Sequence, residues 1–163
     1  MRFSKITCLW LMITSVLMMD CQEEYCGIRY PPDTSGQITI TQGVWGNVWF
    51  WEGNFQPVVY GGTITPVVRE IYVHTLTSID SVNQVPNSPF YYEIYTQLVA
   101  ITESNYTGFF EIALPPGRYS FFVKEDSLFY ANLYDGEGNI LPATVVEDSV
   151  TKVQIDITYK AYY

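Results

Sequence analysis

From residue 37 onward, apolar and polar residues change places at almost every step. The clearest run is Asn105 to Val123. Phe110, Ile112 and Leu114 share one side there, and Phe109, Glu111 and Ala113 share the other. Beyond Pro115-Pro116-Gly117, Tyr119, Phe121 and Val123 alternate with Arg118, Ser120, Phe122 and Lys124. A period of two marks strands with one face on a core. Proline cannot donate to a ladder and glycine accepts a tight reversal, so the run predicts a hairpin closed at that turn. A second reversal is expected at Asn105 to Gly108. Two strands alone are marginal, and such a hairpin needs more sheet around it.

The rest of the chain offers that sheet. Ile38 and Ile40 alternate with polar neighbours, and Val44, Val48 and Phe50 then alternate with Trp45, Asn47, Trp49 and Trp51. Val67 to Thr77, Tyr91 to Glu103, Leu128 to Tyr134, Ile140 to Val146 and Val150 to Tyr159 read as further strands. Residues 53–66 and 79–90 read as loops from their Gly, Pro and Asn, and Asp135-Gly136-Glu137-Gly138-Asn139 reads as a turn. No helical period of any length follows residue 20, and there is no internal repeat. Seven or eight short strands with regular turns predict an all-β fold, an antiparallel β-sandwich over residues 37–163.

The first twenty residues differ in kind. Arg2 and Lys5 precede an apolar run from Ile6 to Met19 that is too short and one-sided to span a bilayer, the pattern of an N-terminal signal helix. It ends at Met18-Met19-Asp20-Cys21. A cysteine at that point resembles the lipobox of bacterial lipoproteins, although Asp20 stands where a small residue is usual. The resemblance implies a lipoprotein signal peptide at 1–20, lipidation at Cys21 and a membrane partner through that anchor. Gln22-Glu23-Glu24 resembles the acidic signal that sends some Gram-negative lipoproteins to the cell surface, so the expected location is the outer membrane or cell surface. An ordinary secretory signal cut nearby is the alternative, and it gives a secreted protein. Residues 21–36 combine acids, Pro31-Pro32, Ser and Gly without periodicity, as a flexible tether does.

Composition narrows the partners. The chain has 163 residues, 17% of them aromatic and only 15% charged. Its formal charge is −9, which becomes −10 when Arg2, Lys5 and Asp20 leave with the signal. Such a surface repels phosphates, which argues against nucleic acid and against direct attraction to anionic lipid. Cys8 also leaves with the signal. Cys26 then stands alone if Cys21 is lipidated, and otherwise the two could close a short loop. Two cysteines and one histidine make a poor zinc set, and no metal or cofactor is expected.

The stretch from Thr102 to Tyr119 carries a family resemblance. Thr102, the turn residues 103–107, Gly108-Phe109 and Pro115-Pro116-Gly117 with Tyr119 resemble the carboxypeptidase regulatory-like domain, a transthyretin-like, broadly Ig-like sandwich. Gly46 to Val48 and Ile71 to Val73 resemble its upstream strands more weakly. The likeness covers residues 43–159. The long segments 53–66 and 79–90 and the stretch 128–139 depart from the pattern. The resemblance implies a folding and interaction module without catalytic residues of its own. The hydroxyisourate hydrolases of similar fold use several histidines and end Tyr-Arg-Gly-Ser, whereas this chain has only His74 and ends Lys160-Ala161-Tyr162-Tyr163.

No nucleophile and base can be assembled without a second histidine, so no catalytic residue is expected. His74 reads as a structural histidine. Asp135 to Asn139 carries carboxylates at alternate positions, but hairpin chemistry explains them without calcium. Asp80-Ser81-Val82, Asp126-Ser127-Leu128 and Asp148-Ser149-Val150 resemble sites at which some bacteria O-glycosylate exported proteins. Trp45, Trp49 and Trp51 share one strand face. Either they form an aromatic row for a glycan, or the face packs beneath the 53–66 segment or a second sheet. The expectation is a non-enzymatic, membrane-anchored extracytoplasmic module with a protein or glycan partner. The alternative is a carbohydrate-binding module that uses the tryptophan row.

Overall fold

The computed structural model describes residues 34–57 and 61–163. The expected signal segment, Cys21, Cys26 and the tether as far as residue 33 lie outside the described residues. Eleven strands form among the described residues: β1 (Gly43–Asn54), β2 (Thr63–Pro66), β3 (Glu70–Thr75), β4 (Val82–Gln84), β5 (Phe90–Ile94), β6 (Leu98–Glu103), β7 (Phe109–Ala113), β8 (Gly117–Glu125), β9 (Leu128–Tyr130), β10 (Pro142–Val145) and β11 (Val150–Tyr162). They make two sheets, and the fold is an all-β sandwich. In the four-stranded sheet β1 is central, flanked by β11 on one edge and by β7 and then β2 on the other. The seven-stranded sheet runs β4-β5-β9-β8-β3-β6, with β10 also pairing β8.

The period of two explains the core. Val44, Val48 and Phe50 of β1 and Val153, Ile155 and Ile157 of β11 point into the space between the sheets. Phe110 of β7 meets Phe121 of β8 across it, with ring centroids 6.5 Å apart. The opposite face of β8 is buried as well. Phe122 is fully enclosed, with Tyr91 and His74 edge-on to its ring at 5.6 and 5.7 Å. Burial on both faces at this point is the reason that Phe121 is followed directly by Phe122, where a surface strand alternates apolar with polar.

Several expectations are corrected. β7 and β8 are not a hairpin: β7 pairs with β1, and β8 pairs with β3, β9 and β10. Pro115-Pro116-Gly117 is a corner that carries the chain from one layer to the other. Two residues without an N–H cannot hold a ladder across the bend, and Leu114, buried at the corner, draws the chain inward. The Tyr119 hydroxyl donates to the Pro115 carbonyl at 2.9 Å and staples that corner.

Tyr91 to Glu103 is likewise two strands, β5 and β6, on opposite sides of β8 in the large sheet. The break at Tyr95-Thr96-Gln97 bonds elsewhere: Thr75 N–H donates to Gln97, and Tyr95 N–H donates to Ser81. The segments expected as loops contain β2 and β4. Ile38 and Ile40 precede the first strand, which begins only at Gly43. The sandwich is also not wholly antiparallel, because β1 and β11, the first and last strands, run parallel. The Asn105–Gly108 reversal is present. Asn105 Oδ1 accepts from Thr107 N and Phe109 N, and Gly108 takes a φ of +76° beside the Val48 carbonyl.

Candidate functional site: the outer face of the small sheet

Alternation along β1 sends Trp45, Asn47, Trp49 and Trp51 to the side of the small sheet away from the core. Register places β7 and β11 residues beside them. Glu111 lies opposite Trp45 and Phe109 opposite Asn47, while Lys152, Gln154 and Asp156 face Trp45, Asn47 and Trp49 from β11. An aromatic row thus runs alongside a polar one.

The row is not uniformly open. Trp45 is 8% exposed and Trp49 3%, whereas Trp51 is half-buried. The Lys152 ammonium lies 5.0 Å from the centre of the Trp45 indole, and Phe109 packs at 6.3 Å. The chain before β1 is laid across this face. Thr34 Oγ1 donates to Asn47 Oδ1 at 2.9 Å. The Thr39 backbone N–H and hydroxyl donate to the Glu111 carboxylate at 2.8 and 2.5 Å, and these bonds hold that carboxyl below its ordinary range. The last residues assigned to the tether, from Thr34, therefore already lie on the sheet. Among the described residues, Asn47 Nδ2 is buried without a hydrogen-bond partner. A shallow open groove of about 630 Å³ continues from this segment, between Thr39–Gln42 and Ala113–Pro115.

At the far end of the row the geometry changes. The β1–β11 register passes from Phe50↔Ile157 to Glu52↔Lys160, so two residues of β11 oppose Trp51 alone. Trp51 Nε1 donates to Asp156 Oδ1 at 3.0 Å. Gln154 Nε2 donates to both Asp156 oxygens, at 3.0 and 2.8 Å. Phe55 lies 5.1 Å from the indole, and Tyr163 stacks on Phe55 at 5.9 Å. Phe55, Asp156 and Tyr163 are absent from the residues singled out in the sequence. They sit about a hundred positions from Trp51 or in a segment read as loop, and only the β1–β11 register joins them.

The remaining sequence candidates fall elsewhere. His74 is buried on β3, with Nδ1 3.0 Å from the Thr96 carbonyl, and burial lowers its pKa. In the 135–139 turn, Asp135 Oδ1 accepts from the backbones of Glu137 and Asn139 at 2.9 and 2.8 Å, which is turn chemistry. Among the described residues no group of three or more His, Cys, Asp or Glu side chains converges as a metal site would. Asp126 and Asp148 take positive φ at tight turns before β9 and β11, so backbone geometry accounts for an Asp in two of the three Asp-Ser-apolar triplets. No protein family, curated protein or solved structure matches this chain.

Proposed function

We propose that the chain is a non-enzymatic, lipid-anchored extracytoplasmic sandwich of the Gram-negative outer membrane or cell surface, serving as a structural or interaction module. The resemblance to carboxypeptidase regulatory-like domains and the lipobox-like Cys21 support this reading. The observation that carries it is the edge strand β6. Among the described residues its ladder pairing is with β3 alone, and it presents Leu98 and Ile101, 44% and 49% exposed, beside His74 and Tyr72 of β3. An open edge with apolar side chains is a place where a partner strand adds. The withdrawal of His74 into a carbonyl bond and a ring contact supports the non-enzymatic part.

The anchor is tested by palmitate labelling with and without globomycin. Labelling that vanishes in Cys21→Ala is the expected result, and a soluble mature chain lacking Cys21 defeats it. The docking edge is tested with Ile101→Asp, which is expected to abolish co-purification of the partner while leaving the fold intact. A second reading, a carbohydrate-binding module, is favoured by the half-exposed Trp51 and its polar neighbours. Trp45 and Trp49, both enclosed, add little open area to it.

A further inference from the structure

We propose that the bulged end of the small sheet is a binding site for a neutral pyranose, with Trp51, Phe55 and Tyr163 as the stacking surface and Asp156 and Gln154 as the hydroxyl-reading pair. This rests on the carbohydrate reading and gives it a place.

None of the three rings belongs to the sandwich core. Trp51 and Phe55 are half-buried, and Tyr163 is 71% exposed. Bulges turn a side chain away from the direction a regular ladder would give it, and Trp51 sits at the one that interrupts the β1–β11 pairing. Its indole is then fixed by the bond to Asp156, so little freedom remains to be lost on binding. Phe55 and Tyr163 are tied together through the backbone. Phe55 N–H donates to Tyr162 O at 2.8 Å, and Gln56 Nε2 donates to Tyr163 O at 3.3 Å. The Phe55 ring lies against Gly62, where an added Cβ would meet ring carbons at 2.5 to 2.7 Å. The aromatic surface is therefore assembled by the main chain as much as by ring contacts.

The polar side fits a hydroxyl-rich ligand. A carboxylate has about four acceptor positions. Asp156 uses Oδ1 for Trp51 and shares Gln154 Nε2 between its two oxygens. Oδ2 retains capacity for a ligand O–H, and Gln154 is exposed beside it. Charge restricts the ligand further. Asp156 is bonded to the Trp51 indole at the edge of the rings, and the whole chain is acidic. A uronate or sulfated sugar meets repulsion there, and a neutral hexose does not.

The test uses the full mature chain with cellohexaose, maltohexaose, chitohexaose and a polygalacturonate hexamer, read by calorimetry and tryptophan fluorescence. At least one neutral hexamer is expected to bind and the acidic one is not. Trp51→Ala, Tyr163→Ala and Asp156→Ala are each expected to weaken binding by about tenfold or more. Tyr163 is exposed and its truncation is expected to spare the fold, so the site stays testable if Trp51→Ala unfolds. Neutral-glycan binding that survives all three variants overturns the site while leaving the carbohydrate reading standing. No binding by the unaltered chain overturns both. Equal binding of the acidic hexamer overturns the assignment to a neutral sugar.

Discussion

Gly46 offers the sharpest test of the fold. It pairs with Val153 where β1 and β11 run parallel. A Cβ there would overlap the Val153 carbonyl oxygen, and it would lie 2.7 Å from the Val153 carbonyl carbon and 3.1 Å from the Phe110 ring. The first obstacle is backbone within the ladder, so a rotamer change cannot relieve it. Gly46→Ala must push the two strands apart locally. Overpacking of a core costs about 1–3 kcal/mol, and two lost ladder bonds add roughly 1 kcal/mol each. The expected loss is thus about 3–5 kcal/mol, or on the order of 10–20 °C in Tm for a domain of this size. Gly136→Ala is the control, because nothing lies within 4 Å of a Cβ at that position. Thermal unfolding followed by circular dichroism reads both variants. If Gly46→Ala melts within about 2 °C of the unaltered chain, the close approach of β1 and β11 is refuted, and with it the layout of the small sheet.

Three further outcomes follow from particular contacts. Phe121→Ala, which empties a fully buried site between the sheets, is expected to cost about 3–5 kcal/mol in chemical denaturation; a change under 1 kcal/mol would place that ring outside the core. The Glu111 pKa is depressed by its bonds from Thr39, so its stabilising contribution is present at neutral pH and fades as pH falls from 4.5 through the lower folded value. Glu111→Gln should flatten the acid arm of the melting curve over that window, and an unchanged arm counts against the Thr39 contact. Tyr159 is pushed up to about 12 by burial and by its 2.8 Å bond to Glu125. The unfolded chain then loses this proton first, so stability should decline from pH 10 toward 12, less steeply in Tyr159→Phe; identical alkaline melts would show that the bond to Glu125 is not made.

Local alternation made the strands legible, and tertiary pairing stayed hidden. Residues 109–113 and 119–123 are strands with the facing sets that the period of two predicts. What they pair with depends on whether Pro115-Pro116-Gly117 turns within a sheet or between sheets, and the same three residues suit either geometry. β8 carried a clue in its adjacent Phe121 and Phe122, which cannot both be buried in a sheet with one wet side. β2 and β4 are short and polar enough to read as loop, and their strand character comes from the neighbours that accept their ladders. At the candidate site, Trp51 was visible as one indole of three. Its distinction from Trp45 and Trp49 arises from burial and from the Asp156 bond, neither of which leaves a mark on spacing.

The side-by-side course of the first and last strands has a mechanical consequence. Because β1 and β11 point the same way, tension applied between the chain entering the one and the chain leaving the other slides them lengthwise. Eight consecutive register pairs, from Gly43↔Val150 to Phe50↔Ile157, then strain together. A hairpin pulled at its open ends yields one rung at a time. This sandwich resists such a pull as a clamp, with its rungs loaded together.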